Sequence, residues 1–326
     1  MSALTALYGG VARLRRTWYE NVTASRVRLE RPVISVGNLV AGGSGKTPVV
    51  AALASALTQI GRRPAILSRG YGRRGPSADV VVVSDGTRSL VPVDESGDEP
   101  QMLARTIAGI PVIVAAQRSR AGRVAIDRFD ADVLILDDGF QHLQLARTVD
   151  LLVLSSGDLT EKLMPFGRLR EPLSAARAAD AVLVYGTAGE AARLAGQVGV
   201  ARSFFVMRRH LPLRTLHGVL PSGHVGYAAV AGIARPDRFF DALRGEGHNV
   251  ACRLTYRDHH WFTAADVQKI ERQARAQGAV AVVTTAKDGV RLERHARVMT
   301  LPWAILPLEV SIEPAVEFES WLRRQL

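Results

Sequence analysis

The stretch PVISVGNLVAGGSGKTP, residues 32–48, decides the fold. Its first half is a short β-branched apolar run and its middle is rich in glycine. The residues that follow, up to Gly61, have helical spacing. A strand that passes through a glycine-rich loop into a helix is the setting in which backbone N–H groups turn inward and bind phosphate, helped by the helix N-terminus. Gly42, Gly43, Ser44, Gly45, Lys46 and Thr47 are therefore expected to hold nucleotide phosphates. Lys46 would reach the β- and γ-phosphates, and the Thr47 hydroxyl would ligate Mg2+. The match to G-x-x-x-x-G-K-[ST] is incomplete, because Val40 stands where the first glycine belongs.

Outward from this loop, strand-like runs alternate with helical stretches: PAILS, VVVVS, PVIVAA, DVLILDD, DLLVLSS and DAVLVYG. Short, nearly continuous β-branched runs between helices indicate a mainly parallel sheet covered on both faces. The run DVLILDDGFQH (132–142) ends in Asp137 and Asp138, as a Walker B strand does, where a carboxylate supports Mg2+ beside the P-loop threonine. Residues 203–221 read as extended connecting segments, and a second βα series follows, with Thr263 and Asp266 forming a capping box. The expected architecture is two α/β/α domains: a P-loop NTPase-like domain over 1–212 and a smaller Rossmann-like domain over 213–326 that closes over the site.

Composition narrows the setting. With 326 residues, 47% apolar and 22% charged, the chain can bury a core and is not a disordered tail. A single cysteine, Cys252, excludes an intrachain disulfide framework. No apolar run approaches the ~18 residues of a membrane span. The net charge of +11 comes from arginine, since Lys46, Lys162, Lys269 and Lys287 are the only lysines. It favours anionic partners. At the N-terminus Leu4, Leu7, Tyr8, Val11, Leu14 and Trp18 recur at helical spacing beside Arg13, Arg15 and Arg16, a pattern suited to an anionic membrane surface or to packing on the chain's own domain.

Three further motifs bear chemistry-capable residues. Asp98 and Glu99 precede a helix, where acidic first-turn residues are also common for purely structural reasons. Arg168, Arg170 and Glu171 lie in a Pro-flanked loop after a strand, the place where α/β proteins bind ligands. Asp258, His259 and His260 stand at the entry to the capped helix; adjacent histidines point apart and make a poor chelating pair.

Taken in order, VGNLVAGGSGKTP, LSRGYG, GDEPQMLA, DDGFQH, GRLREP, AGIARPDRFFDAL, DHHWFT and TTAKDGVRL closely resemble the tetraacyldisaccharide 4′-kinases, the lipid A 4′-kinases of Gram-negative bacteria. The resemblance runs from the N-terminal helix to about residue 292, and that family's P-loop also lacks the first glycine. It implies ATP- and Mg2+-dependent phosphorylation of the 4′-hydroxyl of a tetraacylated glucosamine disaccharide 1-phosphate, by a peripheral protein on the cytoplasmic face of the inner membrane. It implies Asp98 as the base, His259 as its partner (with His260 the alternative), and Arg118, Gln141, Arg170 and Glu171 as substrate-binding residues. Ala286 departs from the glutamate usual in the family's TTEKD segment.

Three rival classes compete, one of them a non-catalytic membrane adaptor, which leaves the P-loop and its Walker B partner unexplained. A membrane-associated ATPase or GTPase switch shares the P-loop, but a GTPase carries N-K-x-D after a strand, and TAKD (285–288) has the wrong order. A nucleic-acid-binding protein is suggested by charge alone, with no recognition motif and dispersed arginines.

Overall fold

In the computed structural model, residues 3–43, 45–74 and 79–326 are described, so Ser44 lies outside the described residues. The chain opens with helix α1 (Ala3–Asn21) and enters β1 (Val33–Gly37), whose five residues are all buried. There follow α2 (Lys46–Gln59), β2 (Pro64–Ser68), β3 (Val80–Asp85), α3 (Val93–Ser96), α4 (Asp98–Thr106), β4 (Pro111–Ala115), α5 (Arg118–Phe129), β5 (Val133–Asp137), β6 (Val149–Leu154), β7 (Ala181–Tyr185), α6 (Ala188–Val198) and β8 (Ser203–His210). The second lobe contains β9 (Arg214–His217), β10 (Gly226–Ala231), α7 (Pro236–Gly245), β11 (Asn249–Thr255), α8 (Ala264–Ala276), β12 (Ala281–Thr285), α9 (Ala286–Leu292) and β13 (Trp303–Leu306). Finally β14 (Leu308–Glu313) and α10 (Ala315–Gln325) complete the described chain.

The strands form two sheets. The nine-stranded sheet has the order β14-β8-β7-β6-β1-β5-β2-β4-β3, and the five-stranded sheet has the order β11-β10-β12-β13-β9. The large sheet is parallel except at its two edges, β3 on β4 and β14 on β8. The small sheet is parallel except for β9 on β13. The fully buried central strands explain why the sequence shows continuous rather than alternating apolar runs.

Two features differ from the expectation. Residues 203–217 are not connectors but strands β8 and β9, which leave one sheet and enter the other. The second sheet does not account for everything after residue 212. Strand β14 returns to pair with β8, and Phe318, Trp321 and Leu322 of α10 join the core beneath the large sheet, with Phe204 and Val206. The edge of the large sheet is thereby covered by the end of the chain, and the small sheet is an insertion with two crossings to its host.

The sheet order also sets the position of the site. Strand β1 lies between β5 and β6, so the chain leaves it toward opposite sides of the sheet, and this switch point opens a crevice at the carboxyl ends of the strands. The β1–β5 register pairs Val36 with Asp137, which fixes the P-loop beside the Asp137–Asp138 turn. That turn fits closely because position 37 is glycine. A Cβ there would lie 2.4 Å from the Phe140 Cβ.

Candidate active site

Within the crevice, Gly42 and Gly45 take positive φ values of 84° and 78°, the left-handed backbone that only glycine adopts without strain. The Tyr185 hydroxyl donates to the Gly45 carbonyl at 2.6 Å and closes the loop against β7. Lys46, the first residue of α2, donates to Asn38 Oδ1 at 3.0 Å and lies 3.3 Å from Asp138 Oδ1. Asn38 is itself buried and donates to the Val40 carbonyl, which gives the loop an internal brace where the usual first glycine is missing.

Asp137 ends β5 at 2% exposure, with Ser68 donating to its Oδ2 at 3.2 Å and its buried Oδ1 without a hydrogen-bond donor among the described residues. Burial, together with the charges of Glu99 and Asp138, pushes its carboxyl up to about 7. Asp138 moves the opposite way. Burial opposes its charge, but Lys46 and Arg170 outweigh burial and hold it below the usual carboxylate range. Two adjacent carboxylates, one lacking a donor, and the Thr47 hydroxyl make a set of hard oxygens. Mg2+ accepts such a set when substrate phosphates complete its shell. The residues present therefore fit Mg2+ with a nucleotide.

Around these lie cations. Arg170 donates to Asp138 Oδ2 at 2.8 Å and to Gln141 Oε1 at 3.3 Å, while Gln141 Nε2 donates to the Asn38 carbonyl at 3.0 Å. Arg118 opens α5 and is buried, donating to the Ala116 carbonyl while its Nε has no acceptor among the described residues. Burial and then Arg69 bring its guanidinium down to about 10, still charged at neutral pH. His142 is pushed down to about 4 by burial and by Arg118 and Arg147, so the ring is neutral there.

The second lobe supplies the opposite wall. Asp288 is fully buried at the start of α9. It accepts from the Gly232 backbone N–H at 2.9 Å and the Thr285 hydroxyl at 2.8 Å, and it pairs with Arg291. The Gly232 carbonyl in turn accepts from Arg291 and from the His259 N–H at 3.2 Å. AGIARP, DHHWF and TTAKD, distant in sequence, thus meet around one carboxylate. His259 is held at φ +58° and its Nδ1 lies 2.9 Å from Asp98 Oδ2 across the cleft. His260 turns away, to Asp266 at 3.2 Å and the Tyr256 ring. Burial opposes the charge of Asp98, but the His259 hydrogen bond and the charges of Lys287, His259 and Arg291 hold the carboxyl below its ordinary value.

A cavity of about 1850 Å3 runs along the cleft and brings most of these groups to one surface: Gly42, Gly43, Gly45, Lys46, Thr47, Asp137, Asp138, Arg118, Gln141 and Arg170 from the first lobe, with His259 and Lys287 from the second. Asp98 is 4% exposed and lies behind that wall. Glu171 departs from its expected substrate contact. It is buried and receives two hydrogen bonds from Arg16 of α1, at 2.6 and 3.0 Å. Desolvated carboxylates need such a partner. Sequence reasoning passed over Asn38, Tyr185, His142, Arg16 and Lys287 as site residues. Of these, Asn38 carried a signal, a polar residue at the end of an apolar run.

Helix α1 divides its faces differently from the expectation at one position. Leu4, Leu7, Val11, Leu14 and Trp18 are more than half exposed, whereas Tyr8 points inward and donates to the Arg170 carbonyl at 3.0 Å. Among the described residues no helix is long and apolar enough to cross a membrane.

Comparison with known proteins adds the following. The family model for LpxK, tetraacyldisaccharide-1-P 4′-kinase, matches residues 1–326. A tetraacyldisaccharide 4′-kinase of Syntrophus aciditrophicus is 41% identical, the match covering 94% of this chain and 87% of that protein. One from Geobacter sulfurreducens is 38% identical over 95% of this chain and 88% of that protein. A crystal structure of "apo" form LpxK from Aquifex aeolicus in complex with ATP is similar with a TM-score of 0.77 at 29% identity, covering 99% of this chain and 97% of that one.

Proposed function

The chain belongs to the tetraacyldisaccharide-1-phosphate 4′-kinase family and is an ATP-dependent kinase of that lipid A precursor; from this premise we propose how its residues divide the reaction. Phosphoryl transfer to a sugar hydroxyl requires placement, charge neutralisation and an acceptor for the departing proton. Gly42–Thr47 cradle the ATP phosphates, with Lys46 on the β/γ oxygens. Thr47, Asp137 and Asp138 would hold Mg2+, which would supply positive charge against the ATP phosphates. Arg118 and Arg170 supply further positive charge at the cavity wall, and Gln141 fixes Arg170.

The observation that carries the chemistry is the 2.9 Å contact between Asp98 and His259, made by two lobes, with His259 lining the same cleft as the P-loop and Asp98 just behind it. Asp98 accepts the 4′-hydroxyl proton and His259 orients it. Because Asp98 is buried in this arrangement, substrate entry must involve movement of the smaller lobe against the larger. A loss of about 10²–10⁴ in rate is typical when a positioned base is removed. Asp98→Ala is therefore expected to bind ATP normally and transfer γ-phosphate at that reduced rate, whereas Lys46→Ala weakens ATP binding itself. Transfer of label from ATP to tetraacyldisaccharide 1-phosphate in mixed micelles, alongside equilibrium ATP binding, measures both. Unimpaired transfer by Asp98→Ala contradicts the assignment.

The acylated, anionic substrate resides in a bilayer. The exposed apolar face of α1, flanked by Arg13 and Arg15, suits docking on an anionic surface, where aliphatic and Trp side chains enter the interface and arginines meet headgroups. The proposed site of action is the cytoplasmic face of the inner membrane, with the protein bound peripherally.

A further inference from the structure

The turn over residues 162–169, KLMPFGRL, lies between α1 and the P-loop and is braced from both sides. Within it, the Leu169 N–H donates to the Lys162 carbonyl at 2.9 Å and the Met164 N–H to the Leu169 carbonyl at 3.0 Å. Gly167 lies directly against the Lys162 carbonyl, where a Cβ has no room. On one side the Tyr8 hydroxyl of α1 lies 3.7 Å from Met164 Sδ, and Leu163 packs on Gly9, where a Cβ would be 3.3 Å from the leucine Cδ1. On the other, the Ala41 N–H donates to the Arg168 carbonyl at 2.8 Å and the Arg170 N–H to the Leu39 carbonyl at 2.7 Å. Phe166, at the tip, is 63% exposed. We propose that this turn is a second membrane-docking element, with the Phe166 ring entering the headgroup–acyl boundary of an anionic bilayer beside the apolar face of α1.

The proposal rests on the docking role given to α1 and extends it to a separate part of the chain. A single exposed aromatic needs no explanation, but this one adjoins a larger apolar surface. At about 100° per residue, Leu4, Leu7, Val11, Leu14 and Trp18 fall within an arc of about 80° on α1, and Tyr8 falls just outside the Leu4 edge of that arc. Tyr8, which touches the turn, thus stands between the exposed face and the face buried at Thr5, Gly9 and Arg16, so the turn flanks the exposed face. Bonds on both sides of the tip hold the Phe166 backbone out from the protein, and its exposure is built into the turn. Phenylalanine, like leucine and tryptophan, is among the side chains that enter the headgroup–acyl boundary. Arg168 is held by Glu161, while Lys162 is exposed and adds to the positive charge of Arg13 and Arg15 that complements an anionic surface. A helix lying in an interface can roll about its axis, whereas a second contact off that axis fixes the roll. The turn is bonded to Leu39 and Ala41 of the P-loop segment and leads into Arg170 on the cavity wall, so fixing the roll also sets how the cleft faces the bilayer.

A nitrobenzoxadiazole fluorophore on a single cysteine reads the insertion, in the full chain carrying Cys252→Ser. The probe surface is a vesicle of phosphatidylethanolamine and phosphatidylglycerol, without ATP or lipid substrate. The label at Phe166→Cys should shift to the blue when vesicles are added and be quenched by nitroxides on the lipid acyl chains. A label at Leu14→Cys should do the same, and one at Val219→Cys, exposed on the second lobe, should not. In co-sedimentation, Phe166→Ser should weaken vesicle binding by about tenfold or more, the loss expected when one buried apolar side chain is removed. A silent label at position 166 beside a quenched one at position 14 overturns the inference and leaves the docking role of α1 standing. Silence at both positions removes the docking role of α1 and the inference with it. Wild-type vesicle binding by Phe166→Ser, with a raised KM for tetraacyldisaccharide 1-phosphate in detergent micelles, also overturns it, because the ring then meets an acyl chain of the substrate and not the bilayer.

Discussion

At the scale of single residues, Asp137 combines a buried carboxyl, a raised proton affinity and an oxygen without a donor. Its folded value, about 7, exceeds the value near 4 of an unfolded chain. The stability it contributes is therefore fully present below that lower value and is lost as pH rises through 7. Without nucleotide, the wild type should lose on the order of a few kcal/mol relative to Asp137→Asn between pH 4 and pH 8. Mg2+ and ATP should abolish the difference. Thermal unfolding of both proteins across that range is the check, and parallel curves refute it. Gly45 offers a steric counterpart. A Cβ there would lie 2.8 Å from the Tyr185 ring and hydroxyl at a φ of +78°. Strain of about 1–3 kcal/mol for a left-handed residue falls on the loop that cradles phosphate. Gly45→Ala should weaken ATP binding by at least about fivefold while the overall circular-dichroism spectrum is kept.

At the scale of elements, α1 is fastened on one side and open on the other. Arg16 stacks over the Phe140 ring at 4.5 Å and pairs with Glu171, both side chains being less than 10% exposed. Breaking a buried pair by removing one partner costs about 3–5 kcal/mol, because the other charge is stranded. Arg16→Met should destabilise by that amount, and the double variant Arg16→Met with Glu171→Gln should recover part of it in denaturant titrations. On the open side, Leu7 and Leu14 are 65% and 73% exposed. Each buried leucine is worth about 1.5–3 kcal/mol, so Leu7→Glu should reduce co-sedimentation with anionic vesicles by at least about tenfold. Unchanged sedimentation removes α1 as the docking element.

These elements also mark how far the sequence could be read. The P-loop, the Walker B strand and the capping box at Thr263 are local, with their meaning carried by neighbours in the chain, and each was legible. The amphipathic helix was legible too, but its inward residue Tyr8 was not, since an aromatic ring fits either face. A substrate role for Glu171 follows from the family resemblance and from a loop placed where ligands bind, whereas its partner in the structure, Arg16, lies 155 residues away. The Asp98–His259 contact spans 161 residues and was accessible through family resemblance alone. Lys287 stood in a recognised motif, yet nothing in TTAKD announces that its ammonium meets an imidazole from another loop. Strand β14 shows no continuous apolar run because, at the sheet edge, the exposed Glu309 and Ser311 alternate with Leu308, Val310 and Ile312.

For the whole molecule, the cleft is held by contacts of two kinds. At its rim Arg294 grips Asp94 at 2.9 and 2.5 Å, Arg105 pairs with Glu293, and the guanidiniums of Arg74 and Arg294 lie 4.7 and 5.6 Å from the Trp261 ring. The rim ion pairs are partly exposed and worth about 0–1 kcal/mol each, less in salt. Such contacts can open and close. At the centre, the buried Asp98 and Arg291 and the part-buried His259 and Lys287 form a cluster from both lobes, screened less by salt than the rim. Together they suit the proposed cycle, in which the lobes part to admit substrate and close to bring Asp98 and His259 together. If Asp98 and His259 act as one unit across the cleft, a double-mutant cycle on single-turnover phosphate transfer will show it. Asp98→Asn should cost about 10²–10⁴ in rate, and adding His259→Gln should cost almost nothing more, because residues acting as a unit are not additive. Losses that multiply, or an Asp98→Asn enzyme that transfers phosphate at the wild-type rate, would contradict it.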